Sequence, residues 1–171
     1  MNSYDHIDNP FARDEALSAD PSTTPDILDT IARKPVVAGW ANDRDTQNIG
    51  FARENVAGNP NADPVTLDWL SGIDNDYIML FNLSANPSTP ATTLRRLATR
   101  PGALLETLVH NPSLPADLLQ EIVDAHPVNG VLFAAAGNPG IDDEMFEHVV
   151  GLVDPRHATA IADVRAKRAG N

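Results

Sequence analysis

The sequence of 171 residues contains no cysteine. This absence excludes disulfides, thiolate zinc sites, cysteine-ligated iron–sulfur clusters and cysteine nucleophiles. Basic residues are also scarce, because 12 Lys and Arg stand against 24 Asp and Glu and the formal net charge is -12. A protein that binds nucleic acid directly needs a basic surface to neutralise phosphates. The charge balance therefore argues against direct nucleic-acid binding.

Long apolar runs are missing as well, since no stretch approaches the roughly 20 residues of a membrane helix. The first residues, Met-Asn-Ser-Tyr-Asp-His, lack the basic start and apolar core of a secretory signal. We therefore expect a cytoplasmic protein without membrane association. Dinucleotide-binding, P-loop, serine-hydrolase and zinc-protease motifs are absent too. No cofactor and no enzymatic activity are expected.

Proline, by contrast, is abundant, with 14 residues, and it marks an internal repeat. An Asn-Pro or Asp-Pro dipeptide begins each unit, at Asp20-Pro21, Asn59-Pro60, Asn86-Pro87, Asn111-Pro112 and Asn138-Pro139. A second break follows about fifteen residues later in each unit, at Pro35, Asp74, Pro101, Pro127 and Pro155. Regular punctuation of this kind is typical of repeat architectures.

Apolar residues keep the same frame when positions are counted from the Asn or Asp. Positions +8 and +11 are Leu28 and Ile31, Leu67 and Leu70, Leu94 and Leu97, Leu119 and Ile122, and Phe146 and Val149. Positions -3 and -2 are Leu17 and Ser18, Val56 and Ala57, Leu83 and Ser84, Leu108 and Val109, and Ala135 and Ala136. The i,i+3 spacing predicts a first helix of about ten residues in each unit. A shorter helix or 3₁₀ segment then leads to the next Asn-Pro.

The turn residues predict how each unit begins. A second proline follows four or five residues after the Asn or Asp, at Pro25, Pro64, Pro90 and Pro115, with Asp142 in its place in the last unit. It suits the first helical position, where its missing N–H has no partner. Thr24, Asp63 and Thr89 are the expected side-chain caps of three first helices. We also hypothesise that the buried Asn side chains hydrogen-bond the neighbouring turn and form a stacked column.

The pattern Asn-Pro-x-x-Pro-x-x-x-Leu-x-x-Leu, clearest at residues 86–97, resembles the variant leucine-rich repeat family. This resemblance implies alternating α- and 3₁₀-helices stacked into a right-handed superhelix. Some members carry a cysteine-bound iron–sulfur cluster, which the lack of cysteine rules out here. We therefore predict an all-α, right-handed superhelical solenoid of about five two-helix repeats of 25–27 residues. A polar N-terminal arm, 1–10, precedes a single repeat domain, 11–171.

The first unit contains an insertion at about 36–50. Because solenoid insertions often form binding loops, Trp40, Asp43, Arg44 and Asp45 are candidate binding residues. The alternative is a degenerate repeat in which Trp40 fills the core. At the other end, residues 155–171 are expected to form a C-terminal cap, whose last helix ends in a solvated basic segment at Arg165, Lys167 and Arg168.

Acidic residues cluster between Arg100 and Arg156, where no Lys or Arg occurs. Asp117, Glu121 and Asp124 share one helix face, and Glu144 occupies the repeat position of Asp117. These residues predict an acidic ridge that binds a partner. The alternative is a solvated face that aids solubility.

One pair of residues has the spacing of two metal ligands on a helix. Glu144 and His148 are spaced i,i+4 on a predicted helix, with Glu147 and His157 nearby in the sequence. Metal sites need three or more ligands, so no metal site is expected. An enzyme would require all of these side chains to converge in space.

The sequence thus favours a non-enzymatic protein–protein interaction scaffold or adaptor, whose partner is another protein. The alternative function is an acidic inhibitor or nucleic-acid mimic that occupies the basic groove of a DNA-handling protein. Strong salt dependence of partner binding would favour the alternative, because mimicry of phosphate depends on screened charges.

Overall fold

The computed structural model describes residues 4, 7, 9–35, 44–73 and 76–169. The α-helices are α1 (Pro10–Ala19), α2 (Pro25–Ala32), α3 (Arg44–Gly58), α4 (Pro64–Gly72), α5 (Tyr77–Ala85), α6 (Ala91–Ala98), α7 (Leu105–His110), α8 (Ala116–Ala125), α9 (Asn129–Ala136), α10 (Asp143–Leu152) and α11 (Ala158–Ala169). A 3₁₀ turn, Pro155–His157, precedes α11. No strand occurs in these ranges, so the all-α prediction is confirmed.

The chain divides into two compact units, which are larger than the repeats and are called unit 1 (Met1–Thr93) and unit 2 (Leu94–Asn171). Unit 1 contains α1 to α5, and unit 2 contains α7 to α11. None of the helices within the described ranges has both the length and the hydrophobicity to cross a bilayer. The single domain, the five repeats and the right-handed superhelix stay predictions.

The apolar repeat frame is the core of each unit. Every residue at positions +8, +11, -3 and -2 is buried, from Leu17 at the start of the frame to Val149 at its end. At position +8, Leu28, Leu67 and Leu94 show no exposed surface. Burial of a leucine side chain stabilises a fold by about 1.5–3 kcal/mol. Because every residue of the repeat frame is buried, the predicted core is confirmed residue by residue.

Helix starts follow the predicted turn chemistry only in part. Asp63 caps α4, because its Oδ1 accepts a hydrogen bond from the backbone N–H of Val65 at 2.8 Å. The cap predicted at Thr24 is wrong, since its side chain makes no capping bond to α2. The cap predicted at Thr89 stays a prediction. Its hydroxyl donates to the carbonyl oxygen of Leu83 at 2.7 Å and so satisfies the last turn of the preceding helix.

Buried asparagines link successive repeats within each unit. Asn59, Asn86 and Asn138 each donate from Nδ2 to two backbone carbonyl oxygens of the preceding repeat. Each side-chain Oδ1 accepts the backbone N–H two residues later, at 2.7 to 2.9 Å. These bonds satisfy buried polar groups that would otherwise be costly. The hypothesis that Asn side chains bond the neighbouring turn is confirmed within the two units.

The C-terminal helix α11 contacts α10 through two arginines. Arg165 and Lys167 are exposed, as expected of a solvated basic end, whereas Arg168 is half-buried. The guanidinium carbons of Arg165 and Arg168 lie 5.3 and 5.1 Å from the ring centre of Phe146. Arg165 also pairs with Glu147, and Arg168 donates to the carbonyl oxygen of Ile141 at 2.6 Å. Aromatic contact and carboxylate pairing together suit the planar guanidinium.

Candidate functional site

The candidate binding loop is only partly within the described residues. Trp40 and Asp43 lie outside them, so their predicted role stays a prediction. Arg44 and Asp45 belong to the first turn of α3. Residues 44–50 are helical, and this half of the stretch extends the second helix of its repeat instead of forming a loop.

The predicted acidic residues lie on α8 and α10 in unit 2. Asp117, Glu121 and Asp124 are exposed on α8, and Glu144 is exposed on α10. Asp117 does not stand alone, because Arg95 of α6 donates to both of its oxygens at 2.7 and 2.6 Å. This guanidinium lowers the pKa of Asp117.

Further arginines from outside the acidic stretch reach it in space. Arg165 pairs with Glu147 and lowers the pKa of that carboxyl, and Arg168 pairs with Asp143 at 3.1 Å. The cations therefore come from α6 and α11, whose sequences flank the stretch at both ends. The sequence suggests a continuous acidic ridge, but the described surface interleaves carboxylates with guanidinium groups.

The residues of the possible metal pair have separate partners. His148 Nε2 lies 2.8 Å from Asp124 Oδ1, whereas Glu147 pairs with Arg165. The His157 ring packs edge-on against Phe133, with 5.7 Å between the ring centres. Within the described ranges, no group of three or more His, Asp or Glu is arranged to hold a metal ion. The structure therefore does not bring these four side chains together.

A groove of about 290 Å³ runs between α8 and α10. It is lined by Gln120 on one side and by Glu144, Met145 and His148 on the other. A comparable groove of about 430 Å³ lies in unit 1, with Asp29 and Thr66 on its walls. Both grooves separate successive first helices, so they are a product of the repeat and not a special feature of one site.

The most unusual surface of the described chain lies on α3 and α5 in unit 1. Tyr77, Ile78 and Phe81 of α5 are 67%, 49% and 44% exposed, and Phe51 of α3 is 49% exposed. Exposed apolar residues that occur singly need no explanation, but a contiguous group marks an interaction site. We call these four residues the α3–α5 apolar face.

Hydrogen bonds between the two helices set the register that joins this surface. Asn82 donates from Nδ2 to the carbonyl oxygen of Glu54 at 2.8 Å, a separation of 28 residues. The bond from Asn86 to the carbonyl oxygen of Asn59 spans 27 residues. An offset of 27 residues places Phe51 at the repeat position of Ile78 and Glu54 at that of Phe81.

The opposite side of α3 is held by Arg53. Its Nε and Nη2 donate to the carbonyl oxygens of Ala32 and Lys34 at 2.9 and 2.8 Å. Its guanidinium lies 5.6 Å from the ring centre of Trp69, and that of Arg33 lies 5.0 Å away. Burial lowers the pKa of Arg53. These contacts fix the rotation of α3 and thereby turn Phe51 outward.

Two carboxyl groups meet at the edge of the apolar face. Asp76 caps α5, because its Oδ1 accepts the backbone N–H of Met79 at 2.9 Å. The side chain of Glu54 reaches Asp76 from α3 and forms a hydrogen bond with it. Burial first, and then this bond and the charge of Asp76, raise the pKa of Glu54 to about 7.

This surface was not predicted from the sequence, although a signal for it exists. Helix α5 begins Tyr-Ile-Met-Leu-Phe, which is apolar at every position. The core needs only one stripe of such a helix, here Met79 and Leu83, which are buried. The surplus apolar residues must therefore point away from the core.

Comparisons with known proteins give no assignment. No protein-family model matches the sequence, and neither a curated protein nor a solved structure matches the chain.

Proposed function

We propose that this protein is a non-enzymatic protein–protein interaction module, which binds another protein through the α3–α5 apolar face. The exposure of Tyr77, Ile78 and Phe81 on a single short helix carries the proposal. Aromatic residues are enriched at the centres of protein interfaces, where they bury large areas at little entropic cost. A surface of this composition gains stability when a partner removes it from water.

The finer architecture is part of the same proposal. We propose a right-handed superhelix of about five repeats, related to the variant leucine-rich repeat family. The Asn bonds between neighbouring repeats within each compact unit support stacking of those repeats. Stacked repeats present an extended surface, which suits a binding scaffold.

A second candidate is the acidic inhibitor or nucleic-acid mimic. The formal net charge of -12 favours it, as does the exposure of Glu121 and Glu144 on neighbouring helices. The arginine pairs of Asp117 and Glu147 speak against it, because they neutralise part of the surface that would imitate phosphates.

Affinity capture from cells that express the protein tests the main proposal. The bait variants are Ile78→Ser/Phe81→Ser, which changes the apolar face, and Val128→Ser/Leu152→Ser, which changes exposed apolar residues of unit 2. We expect a partner that binds the unchanged protein and the unit 2 variant but not the apolar-face variant. Equal capture by all three baits, with equal melting temperatures, would refute the proposed surface.

The same experiment distinguishes the interaction module from the acidic inhibitor or nucleic-acid mimic. A partner that is bound through the acidic residues is lost with Glu121→Gln/Glu144→Gln and released by moderate salt. A partner that is bound through the apolar face survives both changes.

A further inference from the structure

We propose that the α3–α5 apolar face binds an arginine-bearing segment of its partner protein, with apolar side chains against Phe51, Ile78 and Phe81 and the guanidinium between Tyr77 and the carboxyl pair of Glu54 and Asp76. This inference rests on the proposed function and adds the chemistry of the partner.

The carboxyl pair favours a positively charged group on the partner. Glu54 and Asp76 share a hydrogen bond at the edge of the apolar face, and Glu54 is half-buried there. Burial first, and then the hydrogen bond and the charge of Asp76, disfavour the ionised form of Glu54 and raise its pKa to about 7. An incoming cation offsets the part of this cost that comes from Asp76, so a basic group gains more here than at an isolated exposed carboxylate.

The cation of unit 1 that lies nearest in the sequence does not supply this charge. Arg53 is adjacent to Glu54, but its guanidinium lies on the other side of α3, against Trp69 and the end of α2. Asp76 is the charged group of the described residues that acts on Glu54. Within the described part of unit 1, a cation from a partner can therefore add to this pair.

The aromatic surroundings favour arginine over lysine. Tyr77 follows Asp76 directly and is 67% exposed, and Phe81 lies one turn further along α5. A guanidinium stacks on aromatic rings and at the same time donates two hydrogen bonds to a carboxylate. The protein uses this combination itself, because Arg165 contacts the ring of Phe146 and pairs with Glu147. A lysine ammonium is a compact, strongly hydrated charge and meets only one of the two requirements.

The test begins with a random library of 16-residue peptides displayed on phage and selected on the full-length protein. Peptides that also bind the Ile78→Ser/Phe81→Ser variant are discarded. The best remaining peptide is synthesised with its arginine, with lysine and with neutral citrulline in that position. Calorimetry then measures the dissociation constant of each peptide for the unchanged protein and for Glu54→Gln/Asp76→Asn. Glu106→Gln/Asp163→Asn, which removes two exposed charges from unit 2, is the matched control.

We expect citrulline to weaken binding to the unchanged protein about tenfold or more and lysine to weaken it less. The Glu54→Gln/Asp76→Asn variant should lose a similar factor with the arginine peptide and should no longer distinguish arginine from citrulline. The control variant should bind all three peptides as the unchanged protein does. A charge exchange provides a second check: Glu54→Arg should prefer a peptide with glutamate in place of arginine.

Three results would overturn the inference. In the first, the selected peptides need Phe81, but neither citrulline nor Glu54→Gln/Asp76→Asn weakens their binding. The proposed function would then hold, but the role of arginine would be refuted. A library that yields no peptide dependent on Phe81 would remove the apolar face as a peptide-binding surface altogether. Concentration-dependent dimers in sedimentation, abolished by Ile78→Ser/Phe81→Ser, would show that the face binds a second copy of this chain.

Discussion

The side-chain amide of Asn86 donates hydrogen bonds to the carbonyl oxygens of Asn59 and of Ala57, at 2.9 and 2.7 Å. Asn86 is 3% exposed, and its Oδ1 accepts the backbone N–H of Ser88. One side chain thus closes its own turn and bonds the preceding turn. The same arrangement recurs at Asn138, which bonds the carbonyl oxygens of Val109 and Asn111.

We predict that Asn86→Asp lowers the free energy of unfolding by about 3 kcal/mol or more, because a carboxylate would be buried beside two carbonyl oxygens. Asn86→Ala should cost about 2 kcal/mol, since it leaves buried polar groups without partners. Urea denaturation measures both. Asn55→Ala, which removes a single long bond of 3.5 Å to the carbonyl oxygen of Glu15, is the control and should cost less than about 1 kcal/mol. Equal losses at Asn55 and Asn86 would contradict the structural role of the Asn column.

Leu119 is a second test of the repeat frame. It lies at position +8 in α8 and is 1% exposed. Replacement by alanine should lower the free energy of unfolding by about 2–5 kcal/mol, through lost burial and the cavity left behind. Leu152→Ala in α10, where the side chain is 40% exposed, should cost well under half of that. Thermal and chemical denaturation of both variants would decide, and a larger effect at Leu152 would contradict the assignment of the core.

Glu54 should make stability depend on pH near neutrality. Its pKa is raised from an ordinary value of 4.5 to about 7, so the folded state holds the proton more tightly than the unfolded chain does. Its contribution is therefore fully present below about pH 4.5 and is lost as the pH rises through 7.

Glu54→Gln should remove this dependence, because glutamine stays neutral at every pH. We expect the variant to gain stability relative to the unchanged protein as the pH is raised from 5 to 8, measured by urea denaturation in a pH series. Glu121→Gln, on an exposed carboxylate of α8, is the control. A constant difference between Glu54→Gln and the unchanged protein across this range would disprove the raised pKa of Glu54.

Arg53 should contribute more to stability than an exposed arginine. Replacing it by methionine keeps much of the apolar stem but removes two hydrogen bonds to the end of α2 and the contact with Trp69. We expect a loss of about 1.5–3 kcal/mol, since hydrogen bonds from charged groups are stronger than neutral ones. Arg156→Met, whose side chain is 85% exposed, is the control and should be nearly neutral. Tryptophan fluorescence during unfolding would report on both variants.

Local features of the sequence were sufficient for helix placement and for the core. Prolines and Asn-Pro turns punctuate the chain at regular intervals, and i,i+3 apolar pairs such as Leu67 and Leu70 mark the buried stripe of each first helix. Both patterns depend on backbone conformations within a few residues and not on distant contacts. They can therefore be recognised in every repeat. The capping prediction succeeded at Asp63 and failed at Thr24, whose side chain makes no capping bond to α2.

The tertiary structure decided the pairings between residues that are far apart in the sequence. Arg95 pairs with Asp117, Glu54 interacts with Asp76, and Phe51 takes the repeat position of Ile78. Such pairings depend on the offset and rotation of one helix against the next, which inter-helix hydrogen bonds and packing set. The sequence by itself determined which side chains enter the core, because amphipathicity is a property of one helix. Which outward side chains share a surface was decided only when the helices packed, and the α3–α5 apolar face arises at that level.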